Sequence, residues 1–195
     1  MSINILHRKE QLTLTAIEII DELGIQKLTT REIAKRQDIS EATLFRHFKN
    51  KNELLVSVLD YFVQYDADIF QSTKLHNLDP TQALVYLITA YAEYYENYPA
   101  ITSILQIFDV LRYEADLTDI MKNIQETRTA VIQQLIEEAK QAGELRDEVD
   151  SQVVAVMISG FFRETCFNWR ISDYSFSLRE RLLSTLELLL RALHN

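Results

Sequence analysis

Three glycines and two prolines are all the backbone punctuation in 195 residues. A sheet-rich chain of this length needs many tight turns, and those two residue types make most of them. Their scarcity therefore points to long helices joined by few loops. Two of the three glycines and both prolines fall at helix boundaries. Gly24 sits just after a periodic run ending at Leu23, where a helix wants a left-handed residue. Pro80 follows Asp79 in the pattern of a cap and a first helical position, with Gln82 three residues on from Asp79. Pro99 breaks that helix after Asn97 and opens another, and Gly143 closes a long one. Capping pairs mark further starts: Thr29 with Glu32, Asn50 with Glu53, and Ser177 with Glu180. Ser40 and Asp150 read as N-caps. The spacing predicts an all-α chain of about nine helices, with Asn50 opening a long fourth one that runs to about residue 73. A small N-terminal unit, 1–50, precedes a larger helical unit, 51–195.

Composition narrows the class. Hydrophobic residues at 47% and charged residues at 25% are globular proportions. No apolar run reaches the roughly 20 residues of a membrane span, and the N-terminus "MSINILHRKEQ" lacks the features of a secretory signal. A single cysteine, Cys166, excludes an intrachain disulfide and fits a small buried hydrophobe. A cytoplasmic protein is expected. The four histidines at 7, 47, 76 and 194 are scattered, and no glycine-rich phosphate loop exists. No metal, cofactor or enzymatic activity is expected.

The formal charge of −9 is unevenly spread. Residues 1–55 hold nine Lys and Arg against eight Asp and Glu, whereas 56–195 hold eleven against twenty-one. Between Lys27 and Lys51 there are seven basic and three acidic side chains. Screening confines each field to roughly 8–10 Å, so a basic patch on an acidic body can still bind a polyanion.

That patch has a form. Two short helices, the second opening at Ser40, are joined through Asp38-Ile39-Ser40, with the small Ala34 where they cross and Leu44 and Phe48 pointing inward. This is helix-turn-helix spacing, in which the second helix enters the major groove. Thr43 can contact a base edge or thymine methyl, Arg46 a guanine or a phosphate, and His47 a phosphate. Lys51 stands at the first position of the next helix, where the macrodipole disfavours a cation by a few tenths of a kcal/mol. A phosphate docked there would use the free N–H groups and the lysine together. Thr30 and Arg31 form a matching pair for the opposite backbone.

The stretch "LTTREIAKRQDISEATLFRHFKNKNELL", residues 28–55, resembles the DNA-binding domain of the TetR/AcrR family of bacterial transcriptional repressors. The resemblance implies DNA contacts at Thr30, Arg31, Ala42, Thr43, Phe45, Arg46, His47 and Lys51. Two positions depart from the family pattern: Asp38 stands where glycine is common in the turn, and Phe45 where tyrosine is usual. Without a phenolic oxygen, Phe45 is left with apolar contact to sugar or a thymine methyl.

Beyond residue 55 the resemblance rests on helix order alone. It implies a homodimer formed by the last two helices. The segment from Val153 to Phe162 is apolar almost all round, which predicts burial on every side, by the interior of the unit on one face and by a second subunit on the other. Gly160 costs about 1 kcal/mol in a helix interior and suggests a close backbone approach. The expected interface is Gly160, Leu182, Leu186, Leu189 and Leu193, and a dimer would read a palindromic operator. A cavity for a small apolar or amphipathic ligand is expected among Tyr61, Tyr65, Tyr91, Tyr95, Phe108, Arg128, Phe162 and Trp169. Arg128 lies on an apolar stripe and needs a partner. That partner is Glu164 or another internal acid, or an anionic group on a ligand, unless the side chain reaches solvent. The reading is a ligand-released repressor. The rival readings are a DNA-binding protein whose C-terminal unit recruits a protein, as in family members acting in nucleoid occlusion, and an enzyme with an all-α pocket.

Overall fold

The computed structural model describes residues 2–194, with side chains at 7–74, 76–114 and 117–194. It is all-α. In order the helices are α1 (Ser2–Leu23), α2 (Thr30–Arg36), α3 (Glu41–Phe45), α4 (Lys51–Val63) and α5 (Asp66–Leu75). They continue with α6 (Pro80–Asn97), α7 (Ser103–Leu111), α8 (Ala115–Gln141), α9 (Ser151–Ile171) and α10 (Leu178–Leu193). Short 3-10 turns occupy Ile25–Lys27 and Pro99–Thr102. The expected helices are all found, and one of them is divided. Where one helix was expected from Asn50 to about residue 73, α4 stops at Val63 and α5 starts at Asp66. At the joint Gln64 N–H bonds to the Tyr61 carbonyl, a tightened 3-10 step.

Most boundaries follow from caps. Thr29 accepts the Glu32 amide, Ser40 that of Thr43, Asn50 that of Glu53, and Ser177 that of Glu180. Asp150 accepts the amides of both Gln152 and Val153. Asp79 is a correction: its side chain makes no cap bond. The start of α6 is held instead by Glu144, whose Oε2 accepts from the Thr81 amide at 3.0 Å and from the Thr81 hydroxyl. Gly24 has φ 81 and ψ 159, a region open almost only to glycine, and its amide closes α1 by bonding to Ile20 O.

Two compact units emerge, and their limits differ from a division at residue 50. The first comprises Met1–Gln64 with Pro99–Lys122, the second Tyr65–Tyr98 with Asn123–Asn195. In the first, α1 packs against α2, α4 and α7. Its inward face is Leu12, Ala16, Ile17, Ile19 and Ile20, all buried, while Leu23 is exposed. The Thr13 and Ser57 hydroxyls, 2.8 Å apart, tie α1 to α4. In the second, α6 packs against α5 and α10, and α10 also against α9. Tyr95, Ile136, Ala155, Ile158, Cys166, Leu182 and Leu186 are completely buried there. No described helix is long and apolar enough to cross a membrane.

Candidate nucleic-acid interface

The turn between α2 and α3 is closed by two backbone bonds, Ile39 N–H to Ala34 O at 3.0 Å and Asp38 N–H to Lys35 O at 3.3 Å. These are the two bonds of a Schellman motif, which needs a left-handed residue at Asp38. Asp38 takes φ 50. Aspartate tolerates this region better than most residues, so the turn forms without glycine. Leu44 and Phe48 are buried, seating α3 against the unit's core. The other side of α3 is thereby turned outward.

On that outward side, Ala42, Phe45 and Arg46 are exposed and Thr43 and His47 half-buried. Phe45 leaves 49% of its surface open. Ser40 Oγ lies 3.0 Å from Thr43 Oγ1, which in turn accepts from Arg46 Nη2 at 3.1 Å. Arg31 and Lys51 are exposed and Thr30 half-buried. A shallow crevice, open to solvent, is lined by Thr29, Thr30, Asn50 and Lys51 over an apolar floor that includes Leu28, Ile33, Leu44 and Phe48. The start of α2 and the start of α4 thus meet at one groove beside α3. Arg36 is not part of this surface, because it bonds Glu22 at 2.8 Å and Glu32 at 3.2 Å. Burial lowers the pKa of His47, and the charges of Arg46, Arg8 and Lys9 lower it further. Glu41, on the same outward side at the start of α3, is exposed and accepts a hydrogen bond from the Thr30 hydroxyl at 2.5 Å, a contact that local spacing does not show.

In the second unit, Tyr91, Tyr95, Arg128 and Phe162 come together. Arg128 makes two bonds of 2.8 Å to the carboxylate of Asp66, one from Nε and one from Nη2. Its Nη1 donates to the Tyr95 hydroxyl at 3.2 Å, and its guanidinium lies 5.0 Å from the Tyr91 ring centre. Phe162 meets Tyr91 and Tyr95 edge-on at 6.1 and 5.8 Å. The acid that holds Arg128 is therefore Asp66. Glu164, the acid named from the sequence, is exposed and accepts from Asn168. Burial opposes charge on Arg128, but Tyr95, Asp66 and Tyr91 more than offset it and raise its pKa. Burial pushes Tyr95 up to about 12 and likewise raises Tyr91, in both cases against the pull of Arg128. Burial also pushes the Cys166 thiol up to about 12, which keeps it protonated and unreactive.

The remaining expected pocket residues are placed differently. Tyr65 is 40% exposed, with its ring against Tyr94. Trp169 is engaged in a corner, where Nε1 donates to Phe176 O at 2.8 Å and the ring packs on Tyr174. Tyr61 and Phe108 are half-buried and belong to the first unit, where Phe108 packs on Phe62.

The expected interface residues also divide. Leu182 and Leu186 are fully buried against α6 and α9 and present no surface to a partner, whereas Leu189 and Leu193 are half-buried. The outward apolar residue of α10 is Leu188, 70% exposed. On α9, Val153, Val156, Met157, Phe167 and Ile171 are exposed, so that helix is not buried on every side within one chain. Gly160 lies on the same exposed surface, and a Cβ there would meet nothing within 4 Å. The close approach expected of it is not made within the chain.

A basic helix-turn-helix surface on an all-α chain defines a DNA-binding transcriptional regulator. Two family models match the sequence: bacterial regulatory proteins of the tetR family over residues 12–58, and the YsiA-like protein C-terminal region over 60–192. The chain belongs to the TetR family of transcriptional regulators, with a YsiA-like C-terminal region, and is not an enzyme. It is similar to the fatty acid metabolism regulator protein of Bacillus subtilis, 22% identical over 185 residues and 95% of each chain. The ketosteroid transcriptional regulator KstR2 of Mycobacterium tuberculosis shares the fold with a TM-score of 0.82 at 19% identity, over 96% of this chain and 95% of that one. The regulator FadR of Bacillus subtilis, solved in complex with stearoyl-CoA, shares it with a TM-score of 0.80 at 22% identity, over 95% and 99%.

Proposed function

We propose that the chain is a homodimeric, cytoplasmic repressor, released from a palindromic operator when a small amphipathic ligand binds its C-terminal unit. The observation that carries the DNA half is the α3 surface, where Ala42, Thr43, Phe45, Arg46 and His47 face out, flanked by Thr30, Arg31 and Lys51 around one groove. In this reading residues 1–50, with Lys51 at the start of α4, bind DNA, and the rest of 51–195 senses and pairs. One such helix reads too few base pairs for useful specificity, and two related by a dyad read a palindrome. The exposed face of α9 with Leu188 of α10 supplies an apolar surface for the second copy. Gly160 on that face would let a partner's backbone approach.

For the ligand, the aromatic cluster around Tyr91, Tyr95 and Phe162 supports an apolar group. Arg128 is already neutralised by Asp66, so it does not favour an anion. Long-chain acyl-CoA is the ligand class to test, because the FadR relative was solved with stearoyl-CoA. Asp66 opens α5 directly after the joint that ends α4, and α4 starts with Lys51. A ligand that shifts α5 would bias α4 and move the recognition segments out of operator spacing. The test is fluorescence anisotropy on duplexes from upstream of the protein's own gene, with stearoyl-CoA added to the complex. Release by micromolar stearoyl-CoA supports the reading. Binding that no acyl-CoA weakens overturns the ligand half, and a protein captured by the DNA-bound dimer would favour recruitment.

A further inference from the structure

The Thr30–Glu41 contact places a carboxylate at the DNA-facing surface. Glu41 is the first residue of α3, and its Oε2 accepts the hydroxyl proton of Thr30, the first residue of α2, at 2.5 Å. Glu41 is exposed and Thr30 half-buried. Thr30 also lines the groove with Lys51, where a DNA phosphate is expected. A hydroxyl has a single proton to donate. Thr30 therefore cannot serve Glu41 and a phosphate oxygen together.

We infer that Glu41 sets base preference in each operator half-site, through an exchange in which DNA takes the Thr30 hydroxyl and the freed carboxylate accepts from a cytosine amino group. This rests on the DNA-contact reading above. An exposed hydrogen bond of this kind breaks at little net cost in water. The consequence falls on Glu41. An ionised carboxylate only accepts hydrogen bonds, and the donors on the major-groove edge are the amino groups of cytosine and adenine. Adenine places its N7 acceptor beside that amino group, where it repels a carboxylate, whereas cytosine has only a C–H at the corresponding place. Guanine and thymine present carbonyl oxygens. Glu41 thus rewards one base and penalises the others, which is specificity gained partly by repulsion. Arg46, held back on Thr43 at 3.1 Å, is left to reach guanine or a phosphate elsewhere in the site.

The test is selection of bound duplexes from a random library by the intact protein and by Glu41→Ala, Glu41→Gln and Thr30→Val. The unaltered protein should show a preference of about tenfold for cytosine at one position per half-site, within the range that base contacts give. Glu41→Ala should flatten that position to under about twofold and tighten binding to random DNA, because a negative charge leaves the groove. Glu41→Gln should move the preference to adenine, whose N6 and N7 a carboxamide bonds together. Thr30→Val should weaken binding to every sequence alike and leave the preferences standing. A Glu41→Ala protein that keeps every preference of the unaltered one overturns this inference alone. An unaltered protein without salt-sensitive DNA binding overturns the DNA-contact reading as well.

Discussion

Asp66→Ala tests the polar centre of the second unit. The side chains of Asp66 and Arg128 are 12% and 15% exposed, and two bonds of 2.8 Å join them. Removing the carboxylate leaves a buried guanidinium that cannot shed its proton, with the neutral Tyr95 oxygen among its remaining acceptors. Breaking a buried pair on one side costs about 3–5 kcal/mol. For a chain of this size each kcal/mol moves the melting midpoint by about 2–4 °C, so a fall of about 6–20 °C is expected. Removing both charges is a different perturbation. Asp66→Leu with Arg128→Met replaces the pair by apolar volume and should recover most of the loss, since such swaps are often neutral or stabilising. The assay is thermal unfolding followed by circular dichroism at fixed protein concentration, because dimerisation makes the midpoint concentration-dependent. An Asp66→Ala protein melting within about 3 °C of the unaltered one would refute the reasoning, as would a double variant no better than the single.

Lys51→Ala should weaken DNA binding on all sequences alike and lower the salt slope by about 0.9 per chain, read from anisotropy titrations across salt concentrations. Affinity should rise as pH falls, by at most about tenfold per unit per chain, because burial depresses the pKa of His47 in the free protein and a phosphate favours its charged form. His47→Gln should abolish that dependence. The same depressed pKa runs the other way for the free fold, which loses stability as pH falls from 6.5 towards the folded-state pKa of His47, since the unfolded chain takes the proton more readily. Val156→Glu with Ile171→Glu should give a folded monomer in light scattering, with operator affinity reduced at least tenfold; an unchanged dimer would place the second copy elsewhere.

What could be read from the sequence was local. Thr29, Ser40, Asn50, Asp150 and Ser177 cap helices within their own first turn, so spacing alone revealed them. The turn through Asp38 was legible for the same reason. Contacts made across the chain were not. Glu144 holds the start of α6 from 63 positions away, while the nearby Asp79 only looked the part. Asp66 meets Arg128 across 62 positions, and only the packing of the second unit selects it over Glu164. The joint at Gln64–Tyr65 carries neither glycine nor proline, so nothing local marked it. Helix α10 is leucine-rich on more than one face, and contact with α6 and α9 decides that Leu182 turns inward while Leu188 turns out.

The central claim, a two-fold regulator that grips DNA through α3 and its flanking cations, is tested most directly by the salt dependence of binding to a duplex selected from a random library. Arg31, Arg46 and Lys51 in two chains would neutralise about six phosphates, for a slope near −5 and a loss of about 10³ in affinity between 50 and 200 mM salt. That slope, a consensus with dyad symmetry, and two chains per duplex are the expected results. An affinity flat in salt, or a consensus without symmetry, would contradict it.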